Sequence, residues 1–222
     1  MTNQAATIAK PLRGHARGVI PIAPDGYPFI IGSAMVAMVC LNSGWMFLST
    51  ITSALFLFIL YFFRDFEQDT PQDEAAFVSP ANGKVIRAES SEDGGVRIDI
   101  FMNIFDVHVN RAPMSGTITN MEYTEGRFMN AALEEACDEN ERNTLTLETE
   151  NGVQVSFVQI AGLIARRIVA YVKVGDQVKA GQRVGMIRFG SRVDSYMPAG
   201  FELNVEVGDK VVAGKTILAS RA

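Results

Sequence analysis

The chain has 222 residues, with 20 lysines and arginines against 25 aspartates and glutamates, and a formal net charge of −5. This acidic balance argues against a nucleic-acid-binding protein, whose surface would be basic, so we expect no nucleic-acid partner. Cys40 and Cys137 are the only cysteines, and His15 and His108 are the only histidines. This inventory is too small for a disulfide framework or a structural zinc site, so we expect no metal.

The N-terminal part of the chain is strongly apolar. No charged residue lies between Asp25 and Arg64, and this gap contains two uncharged runs, 27–41 and 45–63, separated by the turn-forming sequence Asn-Ser-Gly. The second run would measure roughly 28 Å as a helix, which is close to the thickness of the hydrocarbon core of a bilayer. We therefore expect residues 1–63 to form a basic arm followed by hydrophobic, membrane-associating helices.

Several arrangements of this apolar segment are open. A buried core helix or a cleaved signal peptide fits poorly, because the segment is too long for either and starts too late for the second. Two arrangements remain: a single span, or a hairpin of two short helices that dips into one leaflet or crosses both. Lys10, Arg13 and Arg17 precede the gap with no acidic residue before Asp25, which predicts a cytoplasmic N-terminus. We favour the hairpin, which returns the chain to the cytoplasmic face of the cell membrane.

Residues 64–222 have the composition of a folded domain rich in strands. Alternation of apolar and polar residues predicts strands over 96–100 and 144–148, and 153–160 is a third candidate. Glycine next to asparagine or aspartate separates these segments, as at the turns of β-hairpins. The best helix candidate, 129–137, is short. The pattern predicts a mainly β domain, built as a sandwich or a partly open barrel.

A repeated sequence near the C-terminus restricts the choice of fold. Residues 174–181 (VGDQVKAG) match residues 207–214 (VGDKVVAG) at six of eight positions. The pattern resembles the β-sandwich of lipoyl and biotinyl carrier domains, which implies a two-fold related pair of β-hammerheads. A carrier domain presents a lysine at a hairpin tip, but residues 187–198, between the two copies, contain none. The resemblance therefore favours the fold and not the carrier function.

Three further segments carry a more specific resemblance. Residues 79–85 read SPANGKV, residues 103–113 read NIFDVHVNRAP and residues 188–198 read RFGSRVDSYMP. In this order, together with the apolar N-terminus and the V-G-D repeat, they resemble phosphatidylserine decarboxylase proenzymes of the short bacterial and archaeal subclass. The match covers nearly the whole chain.

The resemblance implies that the chain cleaves itself between Gly190 and Ser191. The Ser191 hydroxyl would attack the Gly190 carbonyl carbon, and elimination would leave a pyruvoyl group at position 191 and two chains, 1–190 and 191–222. The pyruvoyl carbonyl would form a Schiff base with the serine amine of phosphatidylserine and accept the electrons released with CO2. Neither a metal nor pyridoxal phosphate would be needed, and the short chain would stay paired with the long one.

Other site residues are implied by the same resemblance. His108 would transfer protons during elimination or reprotonation, with Asp106 beside it, whereas His15 in the basic arm is expected to be inert. Three arginines are candidates for binding the phosphate or carboxylate of the lipid headgroup, since guanidinium pairs well with both. They are Arg111, Arg167 and Arg192. For each arginine, an exposed side chain that contacts only water is an equally good alternative.

One position departs from the family pattern. The family has aspartate where this chain has Asn82, and that carboxylate is implied to orient or activate a base for self-cleavage. Asparagine forms hydrogen bonds but carries no charge. Three explanations are open: another group, such as His108 with Asp106, suffices; the position was changed to keep the proenzyme uncleaved; or the Asn82-Gly83 pair deamidates slowly to aspartate. We expect maturation to occur and to be slowed.

The leading hypothesis is a membrane-associated, pyruvoyl-dependent decarboxylase that converts phosphatidylserine into phosphatidylethanolamine and CO2. A decarboxylase of an archaeal-type lipid with the same serine headgroup is a close alternative. A non-enzymatic, membrane-anchored, lipoyl-like adaptor is an alternative from another class, but it leaves the three motifs unexplained. Exposed sheet edges also favour a homodimer.

Overall fold

The helical part of the protein is a hairpin at the N-terminal end of the described chain. The computed structural model describes residues 21–131, 139–163, 167–188 and 190–221. A short 3₁₀ helix, Pro24–Gly26, leads into helix α1, Tyr27–Asn42, which is followed by helix α2, Met46–Phe62. Gly44, with φ of +73°, lies in the turn between α1 and α2, where glycine adopts this left-handed conformation without steric cost.

The two ends of the hairpin lie side by side. The Ala23 N–H donates to the Phe63 carbonyl at 2.8 Å, and the Asp65 N–H donates to the Pro21 carbonyl at 2.8 Å. The chain therefore enters and leaves the helical segment at the same end, as a hairpin requires and a single span does not. By length and composition the helical segment Pro24–Asn42 is able to cross a membrane, and α2 is shorter.

The remaining described chain contains fourteen β-strands. The first seven are β1 Ala76–Val78, β2 Gly83–Ser90, β3 Val96–Met102, β4 Val109–Arg111, β5 Gly116–Thr124, β6 Arg142–Glu148 and β7 Gln154–Ala161. The next seven are β8 Ile168–Ala170, β9 Gln177–Val178, β10 Arg183–Ile187, β11 Ser191–Met197, β12 Phe201–Leu203, β13 Lys210–Val211 and β14 Ile217–Arg221. The three predicted strands are confirmed as β3, β6 and β7, whereas most of the helix predicted over 129–137 lies outside the described residues.

Within the described part of the chain, the strands form one sheet of eight and two sheets of three. The large sheet has the order β13-β2-β3-β11-β7-β6-β5-β9, and the small sheets have the orders β1-β14-β12 and β4-β10-β8. Strand β11 begins at Ser191 and lies inside the large sheet, antiparallel to β3 and β7. The predicted mainly β class is confirmed, and the double-hammerhead sandwich stays a prediction.

The two copies of the V-G-D repeat form opposite edges of the large sheet. Strand β9 follows the first Gly-Asp turn and pairs with β5, and β13 follows the second and pairs with β2. In each turn the aspartate side chain accepts a backbone N–H three residues earlier, at 3.0 Å for Asp176 and 2.9 Å for Asp209. The repeat therefore builds two equivalent sheet edges.

Two clusters of buried apolar side chains stabilise the molecule. The larger cluster fills the β domain and includes Phe77, Ile98, Leu145 and Phe157. The smaller cluster joins the base of the hairpin to the sheet β4-β10-β8 and includes Phe62, Phe63, Val109, Val169 and Met186. Because buried apolar surface stabilises a fold by roughly 25 cal/mol per Å², the base of the hairpin is an integral part of the core.

Candidate active site

Ser191 is held inside the large sheet. It is fully buried, and its backbone pairs with Met102 of β3 on one side and Ala161 of β7 on the other. Its hydroxyl donates to the Met102 sulfur at 3.3 Å. A thioether is a weak acceptor, so the hydroxyl keeps its position without a strong partner that would compete for its proton.

Gly190 and Gly162 shape the backbone in front of Ser191. Gly190 has φ of +68°, a left-handed conformation that residues with a side chain rarely adopt. A Cβ added at Gly162 would overlap the Gly190 carbonyl oxygen. One glycine thus allows the turn into β11, and the other leaves room for the carbonyl that precedes Ser191.

His108 presents a neutral, basic nitrogen to this turn. The ring is fully buried, and its Nδ1 lies 2.9 Å from the Asp106 carbonyl oxygen, which can only accept, so Nδ1 carries the proton. Its Nε2 accepts the Gly190 N–H at 3.2 Å. Burial, aided by the positive charge of Arg64, lowers the pKa of His108 to about 4. The imidazole is therefore uncharged at neutral pH.

Asp106 contacts His108 through its backbone and not through its carboxylate. The carboxylate accepts the Asn103 N–H at 2.8 Å, and burial raises the pKa of this carboxyl against the effect of that hydrogen bond. The Asn103 side chain in turn accepts the Phe105 N–H at 2.7 Å. The association of His108 with Asp106 suggested by the motif is thus a carbonyl–imidazole hydrogen bond, and the carboxylate stabilises the turn that provides it.

Asn82 connects the His108 segment to the second V-G-D repeat. Its amide nitrogen donates to the Val107 carbonyl at 3.3 Å, and its amide oxygen accepts the Ala213 N–H at 3.3 Å. A carboxylate could make the second hydrogen bond but not the first, since it has no proton to donate. In this chain the amide therefore stabilises the residue that precedes His108.

Arg192 does not face Ser191. Successive side chains of a strand point to opposite faces, and the Arg192 guanidinium is buried between two carboxylates, 2.6 Å from Asp99 and 2.5 Å from Asp194. Burial and the neighbouring Asp99 raise the pKa of Asp194 to about 6. The charge of Arg192 is therefore engaged within the protein, and we do not retain it as a headgroup ligand.

Arg111 is engaged in a similar way. Its guanidinium lies 3.1 Å from Asp65 and donates to two backbone carbonyls, each at 2.8 Å. It also lines an open groove of about 510 Å³ that contains the acidic side chains of Glu67 and Asp69 and the basic side chain of Lys179. We therefore do not retain Arg111 as a headgroup ligand either.

Two other arginines lie beside the cleavage segment. Arg167 is exposed, and its carbonyl accepts the Arg188 N–H at 3.4 Å. Arg188 lies 3.5 Å from Asp25 at the base of the hairpin, and its Nε is buried without a hydrogen-bond partner in the described structure. Arg167 stays a predicted headgroup ligand. Arg188 was not singled out from the sequence, although it stands two residues before Gly190 in the R-F-G-S motif.

Three other neighbours of the site had no motif to mark them. They are Met102, Ala161 and Gly162. The signal that could have identified them is strand pairing, because the first residue of β11 meets the last residues of β3 and β7. Pairing partners of this kind depend on sheet order, which a single sequence does not specify.

The chain is similar to a family of decarboxylases over most of its length. The family model of phosphatidylserine decarboxylase matches residues 55–219. A phosphatidylserine decarboxylase proenzyme of Geotalea uraniireducens is 47% identical over 203 residues, which is 89% of this chain and 95% of that protein. Proteins of the same name from Geobacter metallireducens and Desulfotalea psychrophila are 46% and 45% identical, over 89% and 90% of this chain and 95% and 96% of theirs. The chain therefore belongs to the phosphatidylserine decarboxylase family.

Proposed function

We propose that this protein cleaves itself between Gly190 and Ser191 and then decarboxylates phosphatidylserine to phosphatidylethanolamine through a pyruvoyl group at position 191. The observation that carries the proposal is the 3.2 Å contact between His108 Nε2 and the Gly190 N–H. It brings a neutral base to the peptide segment that precedes a buried serine hydroxyl. A base, a hydroxyl and an adjacent carbonyl are the groups that an acyl shift requires.

Self-cleavage would begin with that shift. The Ser191 hydroxyl oxygen attacks the Gly190 carbonyl carbon while its proton passes to His108 Nε2, and the bond to the Ser191 nitrogen breaks as this nitrogen is protonated. The peptide bond has then become an ester. Loss of the Ser191 α-proton expels the Gly190 carboxylate, which ends the chain 1–190. The dehydroalanine left at position 191 takes up water and releases ammonia, which leaves a ketone.

The surroundings of Ser191 fit the pyruvoyl group. The space kept free by Gly162 accommodates a carbonyl oxygen, and the Met102 thioether is apolar enough to lie beside a methyl ketone. When formed, the group supplies an electrophilic carbonyl for the substrate amine and a sink for the electrons released with CO2. His108, which is neutral and close to this position, is the residue that we propose moves the protons.

The two products should remain together. Strand β11 would become the first strand of the short chain 191–222, and it pairs along its length with β3 and over six residues with β7. Strand β14, which ends the described chain, also pairs with β1 of the long chain. Removing an interior strand would expose both neighbours, so we propose a tightly associated pair of chains.

The hairpin is the proposed membrane anchor. Met46 and Phe47, next to its turn, are each 81% exposed, and other large apolar side chains of both helices are exposed as well. A contiguous apolar surface of this kind marks an interaction site. We propose that it lies in the cytoplasmic leaflet, with the β domain on the cytoplasmic face. Protease should then degrade residues 64–222 in inverted membrane vesicles, and degradation in right-side-out vesicles alone would contradict this.

A headgroup-labelled substrate tests the proposed reaction. The purified protein is incubated with vesicles of phosphatidylserine that carries an isotope in the serine carboxyl group. We expect labelled CO2 and unlabelled phosphatidylethanolamine. We also expect hydroxylamine to inhibit the reaction, because it reacts with ketones. A serine lipid with an archaeal-type ether backbone, assayed in parallel, tests the close alternative. A cleaved protein that releases no CO2 from either lipid would contradict an enzymatic role and favour the adaptor.

Asn82→Asp tests how the departure from the family pattern affects maturation. A carboxylate at this position raises the pKa and the basicity of the nearby His108, so we expect the precursor to be cleaved several-fold faster. The measurement is the disappearance of the precursor on denaturing gels after cell-free synthesis. Slower cleavage would mean that the hydrogen bond from Asn82 to the Val107 carbonyl matters more than the charge. A wild-type chain that stays intact while Asn82→Asp is cleaved would contradict our expectation that this chain matures.

A further inference from the structure

The last residue of the hairpin contacts His108 directly. Phe62 ends α2, and its ring centroid lies 4.5 Å from that of His108, with an angle of 36° between the rings. Both side chains are fully buried. Phe62 therefore covers the face of the imidazole whose Nε2 accepts the Gly190 N–H.

Two more contacts join α2 and the residues just after it to the turn that precedes His108. The Arg64 guanidinium donates to the Phe105 carbonyl at 2.7 Å. The Phe105 ring also meets Phe58 of α2 edge to face, with 6.5 Å between centroids. The same turn carries the Asp106 carbonyl that fixes the Nδ1 proton. The position of the imidazole thus depends on the hairpin as well as on the β domain.

We propose that Phe62 is a positioning residue for His108, so that the membrane hairpin forms part of the active site. This inference rests on the proposed role of His108 as the base. The Phe62 ring keeps the imidazole in the orientation that directs Nε2 to the cleavage segment, and it excludes water from the ring. A hairpin displaced from its lipid surroundings would therefore disturb the base.

Among the described residues, Arg64 is the charged side chain that acts on the pKa of His108. Arg64, two residues after α2, lowers the pKa of His108, and Asp106 in the turn before His108 faces the ring with a carbonyl oxygen. The segment between β10 and β11 contributes the Gly190 N–H and also carries Arg188, which lies 3.5 Å from Asp25. The cluster that contains Phe62 is apolar except for the Tyr171 hydroxyl. Burial is the largest cause of the low pKa. A smaller side chain at position 62 would admit water, and the pKa would rise from about 4 towards 6.5.

Phe62→Leu in the full chain tests this inference. The precursor is made by cell-free synthesis with phosphatidylserine-containing vesicles, and its cleavage rate is followed on denaturing gels from pH 3 to pH 8. We expect the rate at neutral pH to fall about tenfold or more, because the base is misplaced. We also expect the midpoint of the acid limb to move up by about one pH unit. Phe62→Tyr, which keeps the ring, should restore most of the rate and the original midpoint.

Phe63→Leu is the matched control. Phe63 is equally buried beside Phe62, but it stacks on Phe29 of α1, with 5.5 Å between centroids. We expect a similar loss of thermal stability from both leucine variants and an unchanged pH midpoint for Phe63→Leu. Equal midpoints in wild type and Phe62→Leu, or equal shifts in both variants, would overturn the inference. If Phe62→Leu does not fold, Phe62→Met, which preserves most of the volume without a ring, should show the same shift.

Two variants distinguish an error in the role of Phe62 from an error in the proposed role of His108. If wild type is cleaved, His108→Gln is not and Phe62→Leu behaves as wild type, only the role of Phe62 is overturned. If His108→Gln is cleaved at the wild-type rate, the proposed base is wrong whatever Phe62 does.

Discussion

Ser191→Ala is expected to remain a single polypeptide of 24.2 kDa and to release no CO2 from phosphatidylserine above the uncatalysed rate. Alanine has no hydroxyl to attack the Gly190 carbonyl and cannot give rise to a ketone at position 191. We therefore expect decarboxylation to fall by about 10⁴-fold or more, since the whole covalent route is lost. Denaturing gels and release of labelled CO2 measure the two effects separately.

Ser195→Ala is the control for this substitution. Ser195 is buried on the same face of β11, four residues further along, and its hydroxyl has no hydrogen-bond partner within the described structure. Its loss should affect neither cleavage nor decarboxylation, because the hydroxyl is remote from the Gly190 turn. Full activity of Ser191→Ala, or equal loss in the two alanine variants, would contradict the assignment of Ser191.

His108→Gln is expected to slow self-cleavage by about 10²- to 10⁴-fold, the usual contribution of a general base. Glutamine can accept the Gly190 N–H but cannot take up a proton. The pH profile of wild type gives a second test. The low pKa keeps His108 unprotonated over most of the acid range, so the cleavage rate should be constant from pH 8 to about pH 5. It should fall as protonation of Nε2 becomes significant near pH 4.

His15→Gln is the control, because it replaces the other histidine of the chain by the same residue. It should cleave at the wild-type rate. External imidazole added to His108→Gly should restore part of the rate, since a free base then occupies the vacated space. A cleavage rate that falls near pH 6.5 in wild type would indicate an imidazole exposed to water and would contradict the burial of His108.

Much of the β domain could be predicted from local patterns. Alternation in 144–148 reflects one buried and one more exposed face of β6, whereas in β3 the polar position Asp99 is buried as well. The resemblance carried by the R-F-G-S segment singled out Gly190 and Ser191, and their role in self-cleavage stays a prediction. These features are local, so a single sequence contains them.

The partners of charged side chains could not be predicted in the same way. Arg192 suggested a headgroup ligand until its neighbours across the sheet were known, and Asp99 reaches it only because β3 pairs with β11. Phe62 looked like one more apolar residue of a membrane segment, and its contact with His108 depends on how the hairpin returns to the domain. Such contacts follow from the long-range order of the elements and not from local periodicity.

The intact mass of the purified wild-type protein decides whether the chain cleaves itself before Ser191. We expect two polypeptides. One is the chain 1–190, ending in the carboxylate of Gly190, and the other is the segment 191–222, lighter by one ammonia than the encoded sequence and reactive towards hydroxylamine. A single species of 24.2 kDa, or a short chain that begins with an ordinary serine, would contradict this expectation.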